Sequence, residues 1–240
     1  MPDVTRRVNT GQTAHTSPSQ RGGLFITFEG IEGSGKSTQC QILAKYLKAS
    51  GFRVLETREP GGTPIAEHIR DIFLQTQKPS ADPLTPETEA SLVLAARSQH
   101  VTSLLLPALH EGKVVLCDRF TDSTLAYQGY GRGLPMTDLQ KFNRFVTHGL
   151  IPDMTFLLDL PVQQGLARRQ HDQNQNRIDN EVLAFHSRVR QGFLELARLH
   201  SRRIILVNAR RSKETISQDI QRLLESILQR RLKAQQISFV

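Results

Sequence analysis

One segment constrains the fold of this chain more than any other, Gly30-Ile31-Glu32-Gly33-Ser34-Gly35-Lys36-Ser37. It fits G-x-x-x-x-G-K-[ST] and lies between the apolar run LFITF (24–28) and a helical pattern. Glycines let the backbone N–H groups of such a loop turn inward around phosphate oxygens, and the N-terminus of the next helix attracts the same anion. A glycine-rich turn can match by chance, but here the strand and helix that a phosphate cradle requires are both present. We therefore predict that residues 30–37, with Thr38, bind a nucleoside triphosphate.

Five short apolar segments occur along the chain: LFITF (24–28), RVLET (53–57), KVVLC (113–117), MTFLL (154–158) and RIILV (203–207). They are rich in β-branched residues and apolar on both faces, which is typical of buried parallel strands. Patterns with apolar residues three and four apart, as from Val182 to Leu199, lie between them. The alternation predicts an α/β fold, a five-stranded parallel sheet with helices on both faces.

The 240 residues suit one domain with a lid. Residues 1–23 are rich in Ser, Thr, Gln and Gly without periodicity, which predicts a flexible N-terminal extension. The domain is expected over 24–230, and a C-terminal tail over 231–240. The polar stretch DQNQNRIDN (172–180) predicts a mobile loop within a lid at about 168–181.

Composition limits the environment and the partners. No apolar run has the length of a membrane span, and residues 1–23 lack the apolar core of a signal peptide, so we expect a cytoplasmic protein without a membrane partner. Cys40 and Cys117 lie in apolar segments and are expected to be small buried hydrophobic residues. The net charge of +8 favours an anionic partner, either nucleotide phosphates or a nucleic acid.

The cradle alone does not identify the reaction, because several classes of nucleotide-binding protein share it. The guanine-binding pattern Asn-Lys-x-Asp of switch GTPases is missing, which favours a compact nucleotide or metabolite kinase. Asp118 and Arg119 follow the strand KVVLC and Arg58 follows RVLET, so their side chains are expected at the edge of the sheet that carries the cradle. There Ser37 and Asp118 could hold Mg²⁺ and Arg119 a phosphate, although an Asp-Arg pair can also be a structural ion pair.

Six motifs together make the chain resemble the thymidylate kinases from Leu24 to about Leu228: F-E-G-x-E-G-x-G-K-S-T (28–38), T-R-E-P-G-G-T (57–63), A-A-R-x-Q-H (95–100), D-R-F-x-x-S (118–123), A-Y-Q-G-x-G-R-G (126–133) and N-R-I-D-x-E (176–181). The resemblance implies the P-loop nucleotide-kinase fold with a lid. It also implies ATP-dependent, Mg²⁺-dependent phosphorylation of dTMP to dTDP by a homodimer.

The resemblance further implies roles for particular residues. Arg58 and Arg119 would hold the dTMP phosphate, Arg97 a thymine carbonyl and Glu32 the 3′-hydroxyl, while Tyr127 would lie against the sugar. The same pocket would be lined by Ser123, Thr124 and Gln128.

The expected catalytic residues are Lys36, Asp118, Arg119 and Arg177. Members of the family carry a catalytic arginine either in the cradle or on the lid. Because the cradle position is Gly33 here, the lid must supply it, and Arg177 is the strongest candidate. Arg168 and Arg169 are the others, although both could simply occupy a solvated helix face.

One position departs from the family pattern. An aromatic residue that stacks on thymine usually stands four residues before the pocket arginine, where this chain has Val93. A base–aromatic stack contributes about 1 to 3 kcal/mol in nucleic-acid complexes, so its loss would weaken dTMP binding or loosen the choice of base.

Two alternatives therefore stay open, a kinase for another pyrimidine monophosphate and a nucleotide-binding protein without turnover. A nucleic-acid partner is not expected, because much of the excess charge lies near the ends of the chain, at Arg6, Arg7, Arg21, Arg230, Arg231 and Lys233.

Overall fold

A computed structural model describes residues 22–74, 82–170 and 176–237, with side chains described as far as Glu225. Its five strands are β1 Leu24–Glu29, β2 Val54–Arg58, β3 Val114–Asp118, β4 Met154–Asp159 and β5 Ile204–Asn208. Each strand extends one residue beyond the apolar run that predicted it. That last residue is polar in every strand because it faces the edge of the sheet where the loops meet.

The strands form one parallel sheet in the order β2-β3-β1-β4-β5, which confirms the predicted fold class. The central strand β1 lies between β3 and β4, so chain connections leave it in both directions. A crevice opens at the carboxyl ends of the strands at such a point. The cradle follows β1 and therefore lies in this crevice.

Helices connect the strands and continue after the sheet. The described α-helices are α1 Lys36–Ala49, α2 Pro64–Leu74, α3 Pro86–His100, α4 Leu106–His110, α5 Thr121–Thr124, α6 Met136–Val146, α7 Val162–Gln170, α8 Leu183–Leu199 and α9 Lys213–Ile237. Two π-helical segments, Val101–Leu105 and Leu125–Gly131, continue from α3 and α5. None of the described helices is both long and apolar enough to cross a membrane.

The two faces of β1 belong to different parts of the core. Ile26 and Phe28 pack with Leu43 of α1 and Ile220 of α9. Phe25 lies on the opposite face, in the cluster that contains Leu109 of α4. The alternation is that of a strand with side chains on both faces, and it confirms helices on both sides of the sheet.

Several expectations fall at the limits of the described residues. Positions 1–21 of the predicted extension and positions 171–175 of the predicted lid lie outside them. Helix α9 continues to Ile237, past the expected end of the domain at residue 230. Cys40 and Cys117 are buried and unpaired, as expected of small hydrophobic residues.

A buried ionic cluster joins the ends of three strands. Arg203, just before β5, donates to both carboxylate oxygens of Asp122, at 2.6 and 2.8 Å, and to Thr155 Oγ1 of β4 at 2.8 Å. Glu29, the last residue of β1, is 1% exposed. Burial, followed by the charge of Asp122, raises the pKa of Glu29 to about 7. Arg203 therefore offsets the charge of a region that holds two buried carboxyl groups.

We expect Arg203→Met to lower the free energy of unfolding by roughly 3 kcal/mol at pH 8, because it leaves Asp122 buried without its partner. The loss should be smaller at pH 6. The folded-state pKa of Glu29 is raised from 4.5 to about 7, so the folded protein takes up a proton there as pH falls, which removes the repulsion from Asp122. Urea unfolding at both pH values measures this difference. The control is Arg198→Met, which removes an exposed ion pair with Glu195 and should change the free energy of unfolding little at either pH. If Arg203→Met lowers the free energy of unfolding equally at both pH values, the role of Glu29 is contradicted.

Candidate active site

The cradle turns sharply between β1 and α1. Gly30, Gly33 and Gly35 have φ angles of 137°, 70° and 94°, in the left-handed region that favours glycine. Lys36 begins α1, and its Nζ donates to the carbonyl of Ile31 at 2.8 Å. Burial, followed by the charge of Arg119, lowers the pKa of Lys36 to about 8. An anion at this position would favour the charged form of the lysine.

Helix α7 packs directly on the cradle through two glycines. A Cβ atom added to Gly33 would lie 2.2 Å from the carbonyl oxygen of Gly165, and one added to Gly165 would lie 2.5 Å from the carbonyl oxygen of Glu32. Both distances are shorter than any non-bonded contact allows. The cradle therefore has no room for an arginine at position 33, and α7 holds Arg168 close enough to donate to the Gly33 carbonyl at 3.2 Å.

Ser37 and Asp118 meet where the cradle faces the end of β3. The hydroxyl of Ser37 donates to Asp118 Oδ2, and Asp118 Oδ1 is buried without a hydrogen-bond partner. An unpaired buried carboxylate oxygen beside a hydroxyl suits a hard cation or its water ligands. Within the described part of the chain no three His, Cys, Asp or Glu side chains form a metal cluster, so a cation here would need ligand oxygens from a nucleotide.

Arg119 links the cradle to the π-helical segment. It donates to Glu32 Oε1 at 3.0 Å and to Ser123 Oγ at 3.1 Å, and Tyr127 Oη donates to the same Glu32 oxygen at 2.6 Å. Burial alone would raise the pKa of Glu32, but Arg119 and His186 outweigh it and hold that pKa below its usual range. The Glu32 carboxylate is therefore ionised and aligned by neighbours from two other elements.

Arg97 is almost completely buried, with 1% exposed. Its guanidinium donates hydrogen bonds to four oxygen atoms: Glu59 Oε2 at 2.7 Å, Thr124 Oγ1 at 2.7 Å, Asn143 Oδ1 at 2.6 Å and the Phe120 carbonyl oxygen at 3.0 Å. Since a guanidinium has five N–H donors, one N–H on Nη2 remains. Arg97 can thus give a bound molecule one hydrogen bond in a fixed direction.

A second row of residues holds Arg97 in place. His100 Nδ1 lies 2.9 Å from Glu59 Oε1, and His100 Nε2 lies 2.8 Å from Thr57 Oγ1. Burial would raise the pKa of Glu59, but the adjacent Arg97 and His100 lower it instead. Arg97 therefore faces an ionised carboxylate whose own position is fixed.

Two cavities meet at the cradle. One, of about 310 Å³, contains every residue predicted for the acceptor: Glu32, Arg58, Arg97, Arg119, Ser123, Thr124, Tyr127 and Gln128. The other, of about 470 Å³, is lined by residues 33–39 with Arg168, Arg169, Arg211, Lys213 and Ile216. Gly33, Lys36, Ser37 and Arg169 line both cavities. Two ligands bound here would face each other across Lys36.

Known proteins resemble this chain over most of its length. The family model described as thymidylate kinase matches residues 28–220. A thymidylate kinase of Symbiobacterium thermophilum is 47% identical over 88% of this chain and 96% of its own length, and one of Pseudomonas fluorescens is 48% identical over 87% and 98%. The chain belongs to the thymidylate kinase family. The crystal structure of thymidylate kinase from Ehrlichia chaffeensis, 33% identical, covers 84% of this chain and 98% of its own, with a TM-score of 0.68.

The three arginines predicted as lid candidates do not lie together in the structure. Arg177, the strongest candidate, lines neither cavity; it donates to Glu89 Oε2 at 2.8 Å and to the Phe73 carbonyl at 3.2 and 3.3 Å. A buried carboxylate on α3 therefore holds this arginine away from the cradle. Arg168 and Arg169 lie in the cavity beside the cradle instead.

Sequence reasoning did not anticipate several residues of the acceptor cavity. Phe73 and Arg70 of α2 line it, and neither was predicted. Val93, which the sequence placed at the position of the stacking residue, does line the cavity; it is 6% exposed and belongs to the same apolar cluster as Phe73. The chain gives no signal for the face of α2 that meets the cavity. Glu59 and His100 did carry a signal, since they stand within the motifs at 57–63 and 95–100.

We expect Gly165→Ala to weaken ATP binding by about tenfold or more, because a methyl group would push α7 and its arginines away from the cradle. Titration calorimetry with ATP measures the affinity. The helix itself should not suffer, since alanine favours a helix interior over glycine by about 1 kcal/mol. The control is Gln164→Ala, at the exposed neighbouring position, which should bind ATP as the wild type does. If Gly165→Ala also binds ATP as the wild type does, the two glycines do not position α7.

Proposed function

We infer that this protein transfers the γ-phosphoryl group of ATP to dTMP, which forms dTDP and ADP. The observation that supports it best is the joining of the two cavities at Lys36 and Ser37, with all eight predicted acceptor residues in one of them. A nucleotide-binding protein without turnover would need only the cradle, so the presence of Asp118 and Arg119 beside Lys36 and Ser37 in one cavity argues against that alternative. A cytoplasmic location fits this metabolic role.

The protein would promote the reaction by aligning the two substrates and by placing positive charge around their phosphates. Arg58, Arg70 and Arg119 line the acceptor cavity and would bind the dTMP phosphate. One oxygen of that phosphate then attacks the γ-phosphorus in line, and ADP leaves with the electron pair of the broken bond. No protein nucleophile is needed, because fixed positive charge and alignment lower the barrier.

Other residues of the cavity would select the nucleoside. Glu32, held by Arg119 and Tyr127, would accept a hydrogen bond from the 3′-hydroxyl of the sugar. The Tyr127 ring, packed against Phe193 with centroids 6.0 Å apart, cannot easily move to admit a 2′-hydroxyl. The remaining N–H of Arg97 would donate to a base carbonyl.

Ser37 and Asp118 are the residues that would hold Mg²⁺, given the unpaired Asp118 oxygen beside the serine hydroxyl. The ion would offset the negative charge of the β and γ phosphates. Arg168, which bridges the carbonyls of Gly33 and Ala209, is the lid-side residue best placed to add further positive charge. Arg177 would reach the phosphates only after release from Glu89.

An assay of ADP release with dTMP, dUMP, dCMP, dGMP, UMP and shikimate at equal concentration tests this function. We expect kcat/KM for dTMP to exceed that for each other acceptor by about tenfold or more. Lys36→Ala should abolish turnover, and Arg119→Ala should chiefly impair use of the acceptor. If another acceptor is preferred, the pocket belongs to a kinase for that acceptor. If no acceptor leads to ADP release, the protein binds nucleotides without turnover.

We propose that the protein is a homodimer. Ile65 and Ile72 of α2 are each 55% exposed, and Phe142 and Phe145 of α6 are 56% and 78% exposed. Helix α3 packs against both α2 and α6, so the two helices that carry these side chains share one neighbour. Apolar groups of this size on neighbouring helices are typical of a surface that a second subunit covers.

Light scattering coupled to gel filtration should give twice the chain mass of 27.0 kDa. Phe145→Glu should shift the protein to monomer, because a carboxylate in an apolar interface would lose its hydration. Leu199→Glu, at a 57% exposed position of α8 near the other edge of the sheet, should not change the assembly. A monomeric wild-type protein would contradict the proposal.

A further inference from the structure

Glu89 of α3 is completely buried, and its pair with Arg177 is the one role described for it so far. Its carboxylate accepts hydrogen bonds from three other parts of the chain. Gln128 Nε2 lies 2.7 Å from Oε1, while Arg132 Nη2 and Arg177 Nη1 lie 3.0 and 2.8 Å from Oε2. Glu89 therefore stands between the lid and the π-helical segment that lines the acceptor cavity.

The contact with Gln128 determines which end of its amide is free. An ionised carboxylate only accepts hydrogen bonds, whereas an amide has a donating NH₂ and an accepting carbonyl. Since the NH₂ group faces Glu89, the carbonyl is the end left for another partner. Gln128 lines the acceptor cavity and is 2% exposed, so its amide has little freedom to turn.

The cavity thus presents two polar groups of fixed and opposite character. Arg97, held by Glu59, offers one N–H donor, and Gln128, held by Glu89, offers one carbonyl acceptor. The edge of thymine or uracil carries a carbonyl at position 4 beside an N–H at position 3. Cytosine reverses both, with an amino group beside an accepting nitrogen.

We propose that Glu89 is a positioning residue that sets the choice of base, because it forces Gln128 to show its carbonyl to the acceptor. The inference rests on the proposed function. Its rival is that Glu89 only anchors the lid and the π-helical segment through Arg177 and Arg132. The two differ in whether loss of the carboxylate changes the ratio between acceptors or only the overall rate.

Glu89→Gln tests the proposal with little change in shape. The substituted amide can donate as well as accept, so Gln128 becomes free to turn its NH₂ toward the base. We expect the ratio of kcat/KM for dTMP to that for dCMP to fall by about tenfold or more. Equal losses for dTMP and dCMP would overturn the proposal and support the anchoring role.

Two further variants separate the carboxylate from its other partners. Glu89→Asp keeps an accepting group and should retain most of the preference for dTMP, even if the protein melts at a lower temperature. Arg132→Gln removes a cation from Glu89 but leaves the contact with Gln128, so the ratio should stay within about twofold of wild type. A ratio that falls as far in Arg132→Gln as in Glu89→Gln would count against the proposal.

Gln128→Met keeps the test decisive if Glu89→Gln does not fold. This side chain has similar length and neither polar end, so the dTMP to dCMP ratio should fall by about tenfold or more; an unchanged ratio would overturn the proposal. Dissociation constants for both nucleotides, measured by titration calorimetry, give the same ratio without turnover. A wild-type protein that binds dTMP over dCMP but transfers no phosphoryl group would therefore refute the proposed function and leave this inference standing.

Discussion

The active site depends first on the buried carboxylate of Glu29. This last residue of β1 accepts hydrogen bonds from the backbone N–H groups of Phe120 and Ser123, at 2.8 and 3.2 Å, and from the Ser123 hydroxyl at 2.6 Å. It thereby ties the strand that leads into the cradle to the loop that follows β3. Arg119 lies in that loop with a φ angle of 72°, a conformation that a loop without such anchors would rarely keep. This connection therefore fixes Arg119 relative to the cradle.

Glu59 and Glu89 repeat the arrangement around the acceptor. Each is buried, each accepts from a side chain that lines the cavity, and each is held by further donors from other elements. Burial of a carboxylate is costly unless donors surround it, so such groups tolerate few alternative arrangements. That cost becomes useful in a site that works by alignment, because donors and acceptors are already oriented before the nucleotide arrives.

The sequence was sufficient to predict features that depend on neighbouring residues. The strands, the cradle from Gly30 to Ser37 and the gathering of polar strand ends at one edge all follow from local patterns and parallel pairing. Arg177 shows what such patterns miss. Its position is decided by Glu89, which is 88 residues away along the chain and whose burial no local pattern reveals. The packing of Gly165 on the cradle was missed for the same reason.

The valine at position 93 is expected to affect the affinity for dTMP more than the choice of base. Stacking on an aromatic ring stabilises every base, since each base has a π face, so its loss reduces affinity more than selectivity. Selectivity requires groups that distinguish one base edge from another, and Arg97 and Gln128 would meet that need in the proposed pocket through their opposite hydrogen-bonding character. Phe73 also lines the cavity and offers apolar surface near Val93. Under the proposed roles of Arg97 and Gln128, the pocket would lack the usual stacking residue and still distinguish thymine from cytosine.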